Sequence, residues 1–124
     1  MPSHTLALDA VRNEVDRVAK RCKSSNWDGY GAEPVQPATY WYIHAFVDHI
    51  PPGIEMPSIG SESDGHMTLE WYRSPERVLS VSVSPEGELH YAALLASERR
   101  MGTLKLASSF PEVIYHIIRE VTSR

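Results

Sequence analysis

The 124-residue chain has one cysteine, no long apolar run and no excess of positive charge. Because Cys22 has no second cysteine to pair with, a disulfide within the chain is excluded. No apolar stretch approaches the roughly 20 residues that span a bilayer, and acidic residues near the start of the chain do not fit a signal peptide. A net charge of -4 gives no general attraction to nucleic acid or anionic membrane. These absences predict a cytoplasmic protein that binds neither membranes nor nucleic acid.

Motifs for metal binding, nucleotide binding and catalysis are also missing. The six histidines include no pair at H-E-x-x-H spacing, and one cysteine cannot build a zinc site. No glycine-rich run leads to the Lys-Ser or Lys-Thr of a phosphate-binding loop. His44 and Asp48 could share a helix face, but a hydrogen-bonded surface pair explains them better than two metal ligands would. We therefore predict no catalytic residue, no metal site and no cofactor.

The composition is that of one globular domain over residues 1–124, because 42% of the residues are hydrophobic and 23% are charged. Apolar residues spaced by three and four predict a helix from Leu8 to Cys22. A second helix is predicted from Pro37 to Ile50, with Trp41 and Phe46 widening its buried face. The basic residues from Arg17 to Lys23 at the end of the first helix fit either a solvated helix end or a patch that binds phosphate or RNA, and we favour the solvated end.

Between Met67 and Leu106 the apolar residues recur at every second position, which predicts antiparallel strands joined by short turns. A tight turn at 63–66 predicts a short edge strand over residues 57–62. Two hairpins are predicted to bring the same apolar set to one face. In the register that does this, Leu69 faces Val81, and Val81 faces Tyr91.

The last hairpin is predicted to need a one-residue slip, supplied by a bulge at Gly102, to turn Leu104 inward. A closing helix is then predicted, with Ser109 and Glu112 forming a capping box at its start. The predicted fold class is α+β. It consists of a four- to five-stranded antiparallel meander with two N-terminal helices and one C-terminal helix packed mainly on one face.

The stretch NWDGYGAEP lies between the first two predicted helices. Gly29 and Gly31 permit positive φ, and the Asp28 carboxylate can accept hydrogen bonds from nearby amides in an Asx turn. Trp27 and Tyr30 bring large rings that usually become buried. We interpret the stretch as a structural plug between two helices, with contact to a ligand or partner as the alternative.

The strings NWDGYGAEPV, DGHMTLEW and VLSVSVSPEGELHYAALL, followed by MGT, resemble a group of small uncharacterised bacterial proteins. These relatives are carried in integron cassettes and other mobile gene clusters. The resemblance covers roughly residues 24–122 and implies the fold, without implying an established activity. The chain departs from the pattern at Met101, where relatives tend to carry histidine.

The predicted register puts Thr68, Ser82 and His90 in one row on the outer face of the sheet, and Glu70 in the next row. Cross-strand neighbours lie about 5 Å apart at Cβ, so Ser82 could touch His90. Glu70 is two strands away from His90, too far for a direct catalytic triad. The polar side of a half-exposed sheet explains the same residues without any site.

The leading hypothesis is a non-enzymatic binding or protein-interaction module that is partner-neutralising or antitoxin-like. Its partner would be a second copy, giving a homodimer, or an unknown protein. The alternative is a small-molecule binder or weak enzyme with a pocket between sheet and helices, where Trp41, Trp71 and Tyr91 would meet. The candidate binding residues are Trp27, Asp28, Tyr30, Glu70, Ser82 and His90.

Overall fold

The computed structural model describes residues 2–123, which form three helices and one five-stranded sheet. The helices are α1 (Pro2–Arg21), α2 (Pro37–Asp48) and α3 (Glu112–Thr122). The strands are β1 (Ser58–Ser61), β2 (Met67–Ser74), β3 (Arg77–Val83), β4 (Glu88–Leu95) and β5 (Glu98–Lys105). The strands follow one another in space as in sequence, and every neighbouring pair is antiparallel. The α+β meander predicted from the sequence is confirmed.

The helices differ from the prediction mainly at their ends. Helix α1 begins at Pro2, before the first residue of the predicted apolar stripe, and α2 ends at Asp48. The predicted capping box is wrong, because Pro111 is the N-cap of α3 and no side chain caps the helix. Glu112 is therefore the first helical residue, whereas a capping box requires it at the third position.

The inner face of the sheet has the predicted register and forms the centre of the core. Leu69 pairs with Val81, and Val81 pairs with Tyr91. Trp71 is buried on this face, and its indole Nε1 donates a hydrogen bond of 2.8 Å to the carbonyl oxygen of Glu55. The polar atom of this large ring is thus satisfied inside the core, as buried tryptophans require.

The β4–β5 hairpin does not contain the predicted slip. A two-residue turn joins Leu95 to Glu98, and the register continues without a shift, so Leu104 pairs with Leu89 directly. Gly102 pairs with Tyr91, and a Cβ atom at position 102 would lie 2.7 Å from the Tyr91 hydroxyl oxygen. The glycine therefore makes room for the tyrosine ring and does not form a bulge.

All three helices lie against the apolar side of the sheet or its β1 edge. Helix α3 packs across β2, β3 and β4, α2 packs on β2 and β3, and α1 packs on α2 and β1. Trp41 is 67% exposed, so the prediction that it widens the buried face of α2 is wrong. It lies on the solvent side of the helix, where it contacts the Tyr40 ring edge-on.

The outer face of the sheet carries side chains that are exposed or half-buried on β2 to β5. In the part of the chain that the structure describes, no helix has the combination of length and apolar character needed to cross a membrane.

Candidate functional site

The loop after α1 is closed by the Asx turn predicted at Asp28. Its carboxylate oxygen Oδ1 accepts hydrogen bonds from the backbone amides of Tyr30 at 2.8 Å and Ala32 at 3.1 Å. Gly29 and Gly31 have φ angles of +79° and +85°, as the prediction required. Side chains other than glycine resist these angles, so both glycines are needed for this turn.

The two rings of the loop have different environments. Trp27 is half-buried against the core, and its Nε1 donates a 2.7 Å hydrogen bond to the carbonyl oxygen of Glu33. Tyr30 is 94% exposed, so the prediction that it is buried is wrong. Because backbone amides and the Asp28 carboxylate close the turn, the fold does not require the Tyr30 ring.

The same loop abuts the turn between β1 and β2. The backbone amide of Glu33 donates to the carbonyl oxygen of Ser63 at 2.8 Å. A Cβ atom on Gly65 would lie 2.8 Å from the carbonyl oxygen of Pro34, so the two backbones are in close contact. The geometry is that of a structural plug that connects the first two helices to the sheet.

The outer face has the predicted rows but not a Ser–His hydrogen bond. Ser82 lies opposite His90, as predicted, and Thr68 lies opposite Ser82. The Ser82 hydroxyl donates to the Glu62 carboxylate at 2.5 Å, while His90 Nδ1 is 3.1 Å from the Thr103 hydroxyl oxygen. Each candidate group is thus engaged with a different partner. Because a general base must lie within hydrogen-bond reach of its nucleophile, this arrangement does not pair His90 with Ser82 as base and nucleophile.

Glu62, Asp64 and His66 form a group at the end of this face that carries Ser82 and His90, which we call the polar end. The spacing of these residues in the sequence did not indicate the group. Glu62, Asp64 and His66 bring one ligand atom each within 4.8 Å of one another, and the His66 ring stacks on His90 with centroids 6.0 Å apart. Glu62 and Asp64 are exposed, and exposed acidic groups are common in proteins without metal. The group does not by itself indicate a metal site. Only the hairpin register brings His90 beside His66, so the spacing of the histidines in the sequence could not have revealed the pair.

The other end of the outer face is apolar and shallowly concave. Tyr72 is 59% exposed and Met101 is 71% exposed. A depression of about 350 Å³ lies between β2 and β5, with Ser80 and Ala92 on its floor. The residues that line it are Glu70, Val78, Ser80, Ala92, Ala93, Leu94, Arg99 and Met101. The face therefore combines small residues at its centre with an acidic side chain on β2 and a basic one on β5.

The candidate residues predicted from the sequence thus belong to two places. Trp27, Asp28 and Tyr30 lie in the loop between α1 and α2, whereas Glu70, Ser82 and His90 lie on the outer sheet face. Ser82 and His90 line a depression of about 420 Å³ at the polar end, and Glu70 borders the apolar one.

A polar contact between α1 and α2 replaces the predicted pairing of His44 with Asp48. The Asp16 carboxylate accepts hydrogen bonds from the Tyr40 hydroxyl at 2.6 Å and from His44 Nε2 at 2.9 Å. These hydrogen bonds, that of Tyr40 first, lower the pKa of Asp16, and the same contact raises the pKa of Tyr40. Asp48 instead forms an ion pair with Arg12. The prediction was wrong because the nearer carboxylate lies on the neighbouring helix.

The three rings that were predicted to line a pocket between sheet and helices do not meet. Trp71 is 2% exposed inside the core, whereas Trp41 is 67% exposed on α2. Tyr91 lies over Gly102 near the other edge of the sheet. The predicted aromatic pocket is therefore not formed by these residues.

Comparisons with protein-family models, with curated proteins and with solved structures found no match to this chain. The function is therefore inferred from geometry alone.

Proposed function

We propose that this chain is a non-enzymatic protein-interaction module whose binding surface is the outer face of β2–β5. One observation carries the proposal: the helices pack on the inner face and the β1 edge, while apolar side chains lie exposed on the outer face. Tyr72 and Met101 are the most exposed of these, with Val78 and Leu94 half-buried between them.

The shape and rigidity of the face support this function. Contiguous exposed apolar patches with a polar rim often mark protein-binding surfaces. The central strands beneath this face are held by inner-face side chains that include the fully buried Leu79 and Val81, so the surface is preorganised and loses little conformational entropy on binding. Aromatic and methionine side chains, which Tyr72 and Met101 supply here, are enriched in interfaces.

The hydrogen bonds of the polar end support binding over catalysis. Ser82 donates to Glu62, and His90 contacts Thr103, so neither activates the other as a nucleophile and base. We also infer that the partner is met in the cytoplasm, an expectation supported by the single cysteine of the chain.

Photo-crosslinking at two matched positions tests the proposal. Benzoylphenylalanine replaces Tyr72, which is 59% exposed on the outer face, or Trp41, which is 67% exposed on α2. Both substitutions exchange one large exposed ring for another, so the chain should fold equally well with each. We expect crosslinks in cells from position 72, with partners identified by mass spectrometry, and few from position 41. Crosslinks from position 41 alone, or none from either position, would contradict the proposal.

A further inference from the structure

We propose that the occupant of this face is a second copy of the chain, related by a twofold axis that runs parallel to the strands over β4. The inference rests on the proposed function, because it names the partner for the same surface. It is drawn from how charge and side-chain size are distributed across the strands.

The charges at the two sides of the apolar end are opposite. Glu70 lies on β2 and Arg99 lies on β5, and both border the apolar depression. Within residues 2–123 neither side chain forms an ion pair, although six contacts between an arginine or lysine and a carboxylate are present. A complementary partner must therefore bring a positive charge near Glu70 and a negative charge near Arg99. A twofold axis along the strands gives a second copy this arrangement.

The cross-strand register places the other side chains consistently with that axis. Glu70, Ser80, Ala92 and Met101 follow one another in a single row across β2–β5. Because the axis passes over Ala92, this residue faces Ala92 of the second copy. The short side chain of alanine lets the two sheets approach closely there. Met101 of the second copy then lies above Ser80, on the floor of the depression.

The neighbouring row has a matching arrangement. Tyr72, Val78, Leu94 and Arg99 follow one another across the same strands. Under the same axis, Leu94 faces Leu94 of the second copy, and Arg99 of the second copy lies above Val78. There its guanidinium lies one strand from the exposed Tyr72 ring and diagonally across from Glu70, which allows a cation–π contact and an ion pair.

The area of the face sets the strength of this association. An axis over β4 sets only β3, β4 and β5 opposite strands of the second copy. Three strands about 4.8 Å apart and seven residues of about 3.3 Å give a projected overlap of roughly 330 Å². A standard interface buries about 800 Å² on each partner. We therefore expect a weak dimer that forms as concentration rises and dissociates on dilution.

Sedimentation velocity over a concentration series tests the arrangement by charge exchange. Glu70→Arg and Arg99→Glu should each weaken dimerisation by about tenfold, because each places like charges together across the axis. The double variant restores opposite charges in exchanged positions and should dimerise close to wild type. Thermal melting of each variant checks that the fold is retained.

Two substitutions of exposed apolar residues by glutamate, one inside the face and one outside it, provide a second test in the same sedimentation series. Met101→Glu should abolish dimerisation, whereas Leu6→Glu should leave it unchanged, because Leu6 is 69% exposed on α1 and outside the face. A wild-type chain that stays monomeric throughout the series would overturn the inference. So would a double charge variant that remains as weak as the two single variants.

The crosslinking outcome separates this inference from the proposed function. Crosslinks from position 72 to a different protein, with a monomeric wild-type chain, would overturn the homodimer and retain the interaction module. The absence of any crosslink from position 72 would overturn both.

Discussion

The indole N–H of Trp27 donates a hydrogen bond of 2.7 Å to the carbonyl oxygen of Glu33, across the loop that joins α1 to α2. The backbone amide of Glu33 donates a hydrogen bond to the carbonyl oxygen of Ser63, which lies in the turn between β1 and β2. This bond connects the loop to the sheet. The half-buried ring is thus fixed at the point where both N-terminal helices meet the sheet. Trp27, one of the candidate residues of this loop, therefore has a structural explanation.

Asp28→Ala should lower the free energy of unfolding by about 1–2 kcal/mol, because the backbone amides of Tyr30 and Ala32 would lose their carboxylate acceptor. Urea denaturation measures the change. Tyr30→Ala is the matched control, and it should have little effect because that ring is 94% exposed. If Tyr30→Ala were as destabilising as Asp28→Ala, the interpretation of the loop as a structural plug closed by Asp28 would be wrong.

Thr39→Val should raise the free energy of unfolding by about 1 kcal/mol. Thr39 is fully buried on α2, and its hydroxyl oxygen has no hydrogen-bond partner among the described residues. Valine has the same shape and removes the unpaired polar atom. Thr39→Ser, which keeps the hydroxyl and deletes the methyl group, should destabilise instead. Denaturation curves that ranked the two variants in the opposite order would contradict this account of the site.

The contact of Asp16 with Tyr40 and His44 predicts a small pH dependence. The hydrogen bonds from Tyr40 and His44 hold the pKa of Asp16 in the folded chain below its ordinary value, so the folded state favours the ionised carboxylate. Its stabilisation is present above that value and is lost as the pH falls through the lowered pKa. Because Asp16 is half-exposed, the contribution should be less than about 1 kcal/mol.

The comparison of wild type with Asp16→Asn isolates this contribution. The difference in unfolding free energy should be largest near neutral pH and should shrink in acid. A difference that stayed constant from neutral to strongly acidic pH would show that the carboxylate charge contributes nothing.

The sheet could be predicted from the sequence because its side-chain period leaves few alternatives. Placing Leu69, Val81 and Tyr91 on one face fixes two hairpins, since a shift of one residue would turn each strand over. The β4–β5 hairpin was misjudged, because the two-residue turn after Leu95 already places Leu104 opposite Leu89 without a slip. That error created the need for a bulge at Gly102, which the actual register removes.

Ring exposure and polar partners could not be predicted in the same way. The local pattern makes Tyr30 and Trp41 resemble core residues, yet both lie in solvent because other groups close the loop and cover the sheet. His44 finds Asp16 on a different helix, and the sequence neighbour Asp48 binds Arg12 instead. Such pairs depend on how helices pack, a relationship that a local spacing does not encode.

The predicted register gave the rows of residues on the candidate surface. It did not give the hydrogen bonds of these residues or the distribution of charge. Ser82 and His90 lie opposite each other, as the alternation required. Their hydrogen bonds to Glu62 and Thr103 depend on the side chains of β5 and of the turn after β1. The opposite charges of Glu70 and Arg99 at the two sides of the apolar end depend on the β4–β5 register, which differs from the predicted one.

The central claim is that the outer sheet face is where this protein meets its partner, a second copy of itself. Methyl NMR of a methionine-labelled sample tests it directly in a dilution series, because Met101 is exposed on the face and Met67 is fully buried. Met56, half-buried near the β1 edge, serves as a second control. The account predicts that the Met101 methyl signal shifts with concentration while those of Met56 and Met67 stay fixed. A Met101 signal that does not move, or a concentration-dependent shift at Met56 alone, would contradict it.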